Sequence, residues 1–95
     1  MASFESVITG LTARDDGWAT TPTDDWLQGR TLYGGLSAAL ALRACELAVP
    51  GLPPLRSGQL AYIGPAAGEV LLQPRMIRQG KSVTFMSCDL LSGGV

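Results

Sequence analysis

From Leu36 to Val49 the chain is apolar at almost every position, with only Ser37, Arg43 and Glu46 as interruptions. That run predicts a helix beginning at Tyr33-Gly34-Gly35 and ended by Pro50-Gly51. A surface helix carries a polar half, and this one has almost none, so it has to be surrounded. At about 16 residues it is too short for an ordinary membrane span. Downstream the spacing shifts toward strands. Gln59-Leu60-Ala61-Tyr62-Ile63 predicts a strand stopped by Gly64-Pro65, and Glu69 to Arg78 predicts a long one. Pro74 inside that long strand requires a bulge or an edge position. Gln79-Gly80-Lys81 is a tight connection into a last strand from Ser82 to Leu91. One parity of that strand carries Val83, Phe85, Ser87 and Asp89, the other Thr84, Met86, Cys88 and Leu90. Only the far end of the first parity is polar, which predicts full cover on one face and partial cover on the other.

The first thirty residues are mixed. Phe4 to Thr9 fits a short helix or a short strand, and Gly17 to Thr21 reads as a strand stopped by Pro22. Asp24 to Gly29 reads as a turn or one helical turn. The order is therefore short strands, one apolar helix, then consecutive antiparallel strands. A single apolar helix beside a small antiparallel sheet is hidden best when the sheet curls around it. The expected class is α+β with a hotdog fold, a curled antiparallel sheet wrapped around one central apolar helix. A helix lying flat on an open sheet is the alternative.

Composition narrows the chemistry. Ninety-five residues, 46% of them hydrophobic, make one folded domain with a small core. Seven basic and eight acidic side chains leave no electrostatic footprint for nucleic acid. Met1-Ala2-Ser3-Phe4-Glu5 lacks the basic and apolar regions of a signal peptide, so a cytoplasmic location is expected. Cys45 in the helix and Cys88 in the last strand read as buried free thiols of a reducing compartment. With no histidine, the chain cannot build a Ser-His-Asp or Cys-His arrangement or an imidazole metal site.

A helix N-terminus presents unpaired backbone N–H groups and a partial positive charge, and glycine lets a ligand come close to them. Gly34 and Gly35 thus form a place where a carbonyl could be polarised, or a place where the incoming chain packs tightly on the sheet. Around them, Gly29 to Gly35, Ala48-Val49-Pro50, Tyr62-Ile63-Gly64-Pro65 and Arg78-Gln79-Gly80-Lys81-Ser82 resemble the N-terminal hotdog of acyl-CoA thioesterase II-like, double-hotdog enzymes. The resemblance implies hydrolysis of an acyl-CoA thioester by an activated water, without a metal or other cofactor. It assigns the thioester oxygen to the backbone N–H groups of Gly34 and Gly35, with Tyr33 beside them. Arg78, Gly80, Lys81 and Ser82 become the substrate-binding candidates, and with Arg75 they offer cations suited to the phosphates of coenzyme A. Ser82 serves equally to shape the hairpin.

The departures from the family pattern carry as much weight. Many single-hotdog thioesterases hold a catalytic Asp or Glu about two turns into the helix, which falls near Leu42 here. In the double-hotdog type the acid belongs to the second half; Ser57 occupies the corresponding place in this chain, and Arg78 falls near the matching place of a catalytic threonine. The resemblance therefore implies a non-catalytic half, with the acid in a second hotdog or with this chain acting only as an acyl-CoA-binding or dimer-completing domain. The dehydratase branch of the fold does not fit, because its histidine has no counterpart. Asp24 and Asp25 read as a turn or cap rather than a base. Trp18 and Trp26 suit a core or an acyl tunnel, and Arg43 with Glu46 suits a pair on the helix or with a partner subunit. The family also places a further strand after Leu91, between its neighbours in the sheet, and Ser92-Gly93-Gly94-Val95 resembles the turn into it. The expected domain, residues 1–95, is thus the N-terminal half of a longer protein, or it completes its sheet with a homo-oligomeric partner. Open strand edges make the isolated chain weakly stable or self-associating. Sedimentation and thermal unfolding across a concentration series check this: a concentration-dependent transition is expected, and a sharp concentration-independent one from a monodisperse monomer contradicts it.

Overall fold

The computed structural model describes residues 3–28, 31–32, 34–53, 55, 57–59, 61, 66–80 and 83–92. Helix α1, Phe4–Thr9, starts at Ser3, whose hydroxyl accepts the Ser6 N–H at 3.1 Å. That cap satisfies an end donor and settles helix over strand for this segment. Gly10 ends it, donating its N–H to the Val7 carbonyl at 3.2 Å. Strands β1, Thr12–Arg14, and β2, Gly17–Thr20, form a hairpin with Thr12 opposite Ala19. A 3-10 turn follows at Asp24–Trp26, in which the Trp26 N–H donates to the Thr23 carbonyl at 3.1 Å. Strands β3, Leu27–Gln28, and β4, Thr31–Leu32, pair with each other. Helix α2 is Gly34–Ala48, β5 is Val70–Gln79 and β6 is Thr84–Ser92.

The main sheet is antiparallel in the order β1-β2-β5-β6, and α2 packs against β5 and β6. This is the α+β arrangement of an incomplete hotdog. Strand β2 pairs with β5 from Trp18 opposite Leu72 to Thr20 opposite Val70. Pro74 lies beyond the last of those pairs, where no neighbour asks for the N–H it lacks, so it takes the edge position. The bulge is separate and falls at Ile77, between Met76 and Arg78.

The strand expected at Gln59 to Ile63 lies mostly outside the described residues, which include only Gln59 and Ala61 of it. Among the described residues β6 ends the sheet with an open edge.

The core is the stripe Leu36, Leu40 and Ala44 of α2 set on Val70 and Leu72 of β5, with Val7 of α1 closing one side. Their i, i+4 spacing aligns the three helical residues on one face. The expectation of a fully surrounded helix holds for that face and its flanks only. Gly35, Leu42 and Glu46 form an open stripe, Leu42 being 38% exposed, because the sheet and α1 cover the helix from one side. Among the described residues, no helix is long and apolar enough to cross a membrane.

Two substitutions test this packing. Leu40→Ala leaves a cavity under a fully buried position and is expected to cost about 2–5 kcal/mol in urea unfolding. Gly17→Ala would bring a Cβ to 2.3 Å from the Leu72 carbonyl oxygen, a backbone atom that cannot swing away. A loss of about 1–3 kcal/mol is expected there. Leu55→Ala, at a position 64% exposed, is the control and stays within about 0.5 kcal/mol of the parent.

Candidate functional site

The first turn of α2 is held from below and open from above. Leu36 is fully buried and anchors it, Gly34 is half-buried, and Gly35 is exposed. Helix geometry leaves the first N–H groups without acceptors inside the helix and concentrates partial positive charge there. Gly35 has no side chain to stand between its N–H and an approaching oxygen. This arrangement can bind a carbonyl oxygen or a small anion. Tyr33, expected beside it, lies outside the described residues.

The hairpin candidates occupy a different region. Gly80 donates its N–H to the Val83 carbonyl at 2.8 Å and closes the β5–β6 connection. Arg78 is exposed; Lys81 and Ser82 lie outside the described residues. Arg75 pairs with Ser87 and Arg78 with Phe85. Ser87 and Phe85 are two apart on β6, so the bulge at Ile77 brings both arginines to the same face of the sheet. That face is the outer one, since Leu72, Cys88 and Leu90 of the other face join the core under α2. Gln73, Pro74, Arg75, Ser87 and Asp89 line a shallow cleft of about 270 Å³ in the same region. Toward the hairpin tip the inner face is open, Met76 being 36% exposed, so α2 does not cover the sheet there. The chain therefore does not bring the helix N-terminus and the hairpin cations together.

The positions where the family pattern puts an acid are placed as follows. Leu42 is on the open stripe of α2, and Ser57 is exposed outside any regular element. Asp25 is exposed in the 3-10 turn that also includes Asp24, as the reading of a turn requires. Glu46 lies 3.9 Å from Arg43, a loose pair on an exposed flank and one worth little. Trp26 packs on the core and tilts its ring toward Phe4, centroids 6.1 Å apart. Trp18 lies between the core and a cleft of about 260 Å³ that Ala48, at the far end of α2, also lines.

Cys45 and Cys88 are free, as expected, and 43 residues apart in sequence. They sit on α2 and β6, two elements that pack together, and the Cys88 thiol donates to the Asp89 carbonyl at 3.8 Å. Burial pushes both thiols up, and Cys88, with Cys45 and then Asp89 adding to the effect, rises from 9.0 to about 12.

The sequence model of the acyl-CoA thioesterase N-terminal domain matches residues 22–95. The chain belongs to that family. The match begins after β2, so α1 and the β1–β2 hairpin precede the matched region of this thioesterase domain. No curated protein and no solved structure matches the chain at a significant level.

The thiol of Cys88 sets a pH dependence. Its proton is held more tightly in the folded state, so its contribution is complete below pH 9.0 and falls away as pH rises toward about 12. Melting temperature measured across that window should fall more steeply for the parent than for Cys88→Ser.

Proposed function

We propose that this domain takes part in the hydrolysis of acyl-CoA thioesters, with the first turn of α2 holding the thioester oxygen. The observation that carries the reading is the exposed, side-chain-free Gly35 in the first turn of a helix anchored by a fully buried Leu36, in a chain of the thioesterase family. In the reaction an activated water attacks the thioester carbon, negative charge gathers on the oxygen, and the coenzyme thiolate leaves. Fixed N–H donors aimed at that oxygen commonly contribute about 3–4 kcal/mol. Gly34 and Gly35 supply them in this reading, with Tyr33 beside the same mouth. Leu42 and Ser57 cannot activate water, so the acid comes from a second hotdog, either the downstream half of the same protein or a partner copy. The cations of Arg78 and Lys81, with Gly80 and Ser82 shaping the turn, suit the phosphates of coenzyme A. The position of Arg78 on the outer face favours a substrate that spans this domain and its partner. The cytoplasm suits both the substrate and the free thiols.

The lack of a carboxylate at Leu42 and Ser57 also favours a second reading, an acyl-CoA-binding or dimer-completing domain without chemistry of its own. Thioester hydrolysis assays on the 95-residue chain and on the full-length gene product separate the two. Turnover is expected only with the downstream half present. Absence of turnover from both, with acyl-CoA still bound, favours the second reading. Gly35→Pro gives a finer test, because the first helical turn tolerates proline while losing one N–H. In the active protein kcat is expected to fall about 100- to 1,000-fold with helix content retained. Unchanged kcat removes Gly35 from the oxygen-binding role.

A further inference from the structure

The β5–β6 hairpin outruns the helix that covers the rest of the sheet. Its strands stay paired as far as Gln79 opposite Thr84, while α2 already leaves the inner face open at Met76. Ile77, at the bulge, is 63% exposed, Val83 50% and Phe85 56%. Among the described residues seven large apolar side chains are exposed, and four of them fall between Met76 and Phe85. Scattered exposed apolar residues need no explanation, but a cluster of them marks a surface that meets a partner.

Charge at the tip is equally one-sided. From Arg75 to Phe85 the sequence holds Arg75, Arg78 and Lys81 and no carboxylate, in a chain of net charge −1. Arg75 and Arg78 are exposed and share the outer face with Phe85. Asp89, the one acid on either strand, sits opposite Gln73, on the side of Arg75 away from the tip. The surface therefore suits a partner that is both anionic and apolar. A rigid protein meets one face of a two-stranded tip, whereas here Met76 is open on the inner face and Phe85 on the outer. A lipid interface closes around such a tip, taking apolar side chains toward the acyl chains and leaving guanidinium groups at the phosphates.

We propose that the tip of the β5–β6 hairpin docks on an anionic phospholipid bilayer, with Ile77, Val83 and Phe85 entering the interface and Arg75 and Arg78 meeting its headgroups. The contact is peripheral, and no described helix crosses a membrane. Its strength sums apolar burial and attraction to anionic lipid, so it is sensitive to salt. Arg78 is shared with the coenzyme A reading, but Ile77, Val83 and Phe85 have no part in it. The docking does not rest on thioesterase activity.

The test is flotation of the full-length gene product with vesicles of phosphatidylcholine, alone or with about 30% phosphatidylserine. Binding is expected to the anionic vesicles only, and it should weaken about tenfold or more as salt rises to about 0.5 M. Ile77→Ser and Phe85→Ser should each weaken it about tenfold, since each removes one large apolar side chain from the interface. Leu55→Ser, at a position 64% exposed elsewhere, should bind like the parent. All three are surface changes, so melting temperatures are expected to stay close to that of the parent. Phe85→Trp adds a direct reading of insertion: its emission should shift to the blue on anionic vesicles beyond any shift shown by Trp18 and Trp26 in the parent. Absence of flotation, the result if a second hotdog or an acidic protein covers the tip, would overturn the proposal. Equal flotation with phosphatidylcholine alone, or an equal loss in Leu55→Ser, would do the same. So would binding that Ile77→Ser and Phe85→Ser leave unchanged, which is the mark of a purely ionic contact.

Discussion

Everything in this domain hangs on a narrow apolar contact: Leu36, Leu40 and Ala44 of α2 lying on Val70 and Leu72 of β5. The four large side chains of that contact are fully buried, and each is worth about 1.5–3 kcal/mol relative to exposure. Among the described residues few other positions are buried, so the contact has little support elsewhere there. It also sets direction. With the helix turned down onto β5, Gly35, Leu42 and Glu46 turn outward. The mouth of the first turn is open because Leu36, its immediate neighbour, is buried.

The same sheet separates two sets of residues that the family resemblance groups as one site. Its inner face receives α2 and Cys88; its outer face carries Arg75 and Arg78. Residues 75 and 78 are an odd number apart and would project to opposite faces of a regular strand. The bulge at Ile77 inserts one residue and returns them to one side. A substrate held by both the helix N-terminus and these cations would have to reach around the sheet.

Much of this was legible in the amino-acid order because it depends on neighbours along the chain. The apolar run after Gly34-Gly35 specified α2 almost to the residue, since helix hydrogen bonds and their ends are local. The Gly80 connection and the long strands on either side were legible for the same reason. The open stripe of α2 shows the limit. Leu42 belongs to the same apolar run as Leu36 and Leu40, but which side of a helix a sheet covers is not written in the run itself.

What tertiary structure alone decided is therefore what depends on distant pairs. No residue near Ile77 announces a bulge; it follows from matching β5 to β6 while the sheet curves. Cys45 and Cys88, 43 residues apart, come onto packed elements only because α2 lies against β6. The chain's local order determines where helices and strands begin and end, because hydrogen bonding and side-chain period act over a few residues. Which faces meet, and so which thiols, cations and amides share a surface, is set when remote apolar stripes find each other.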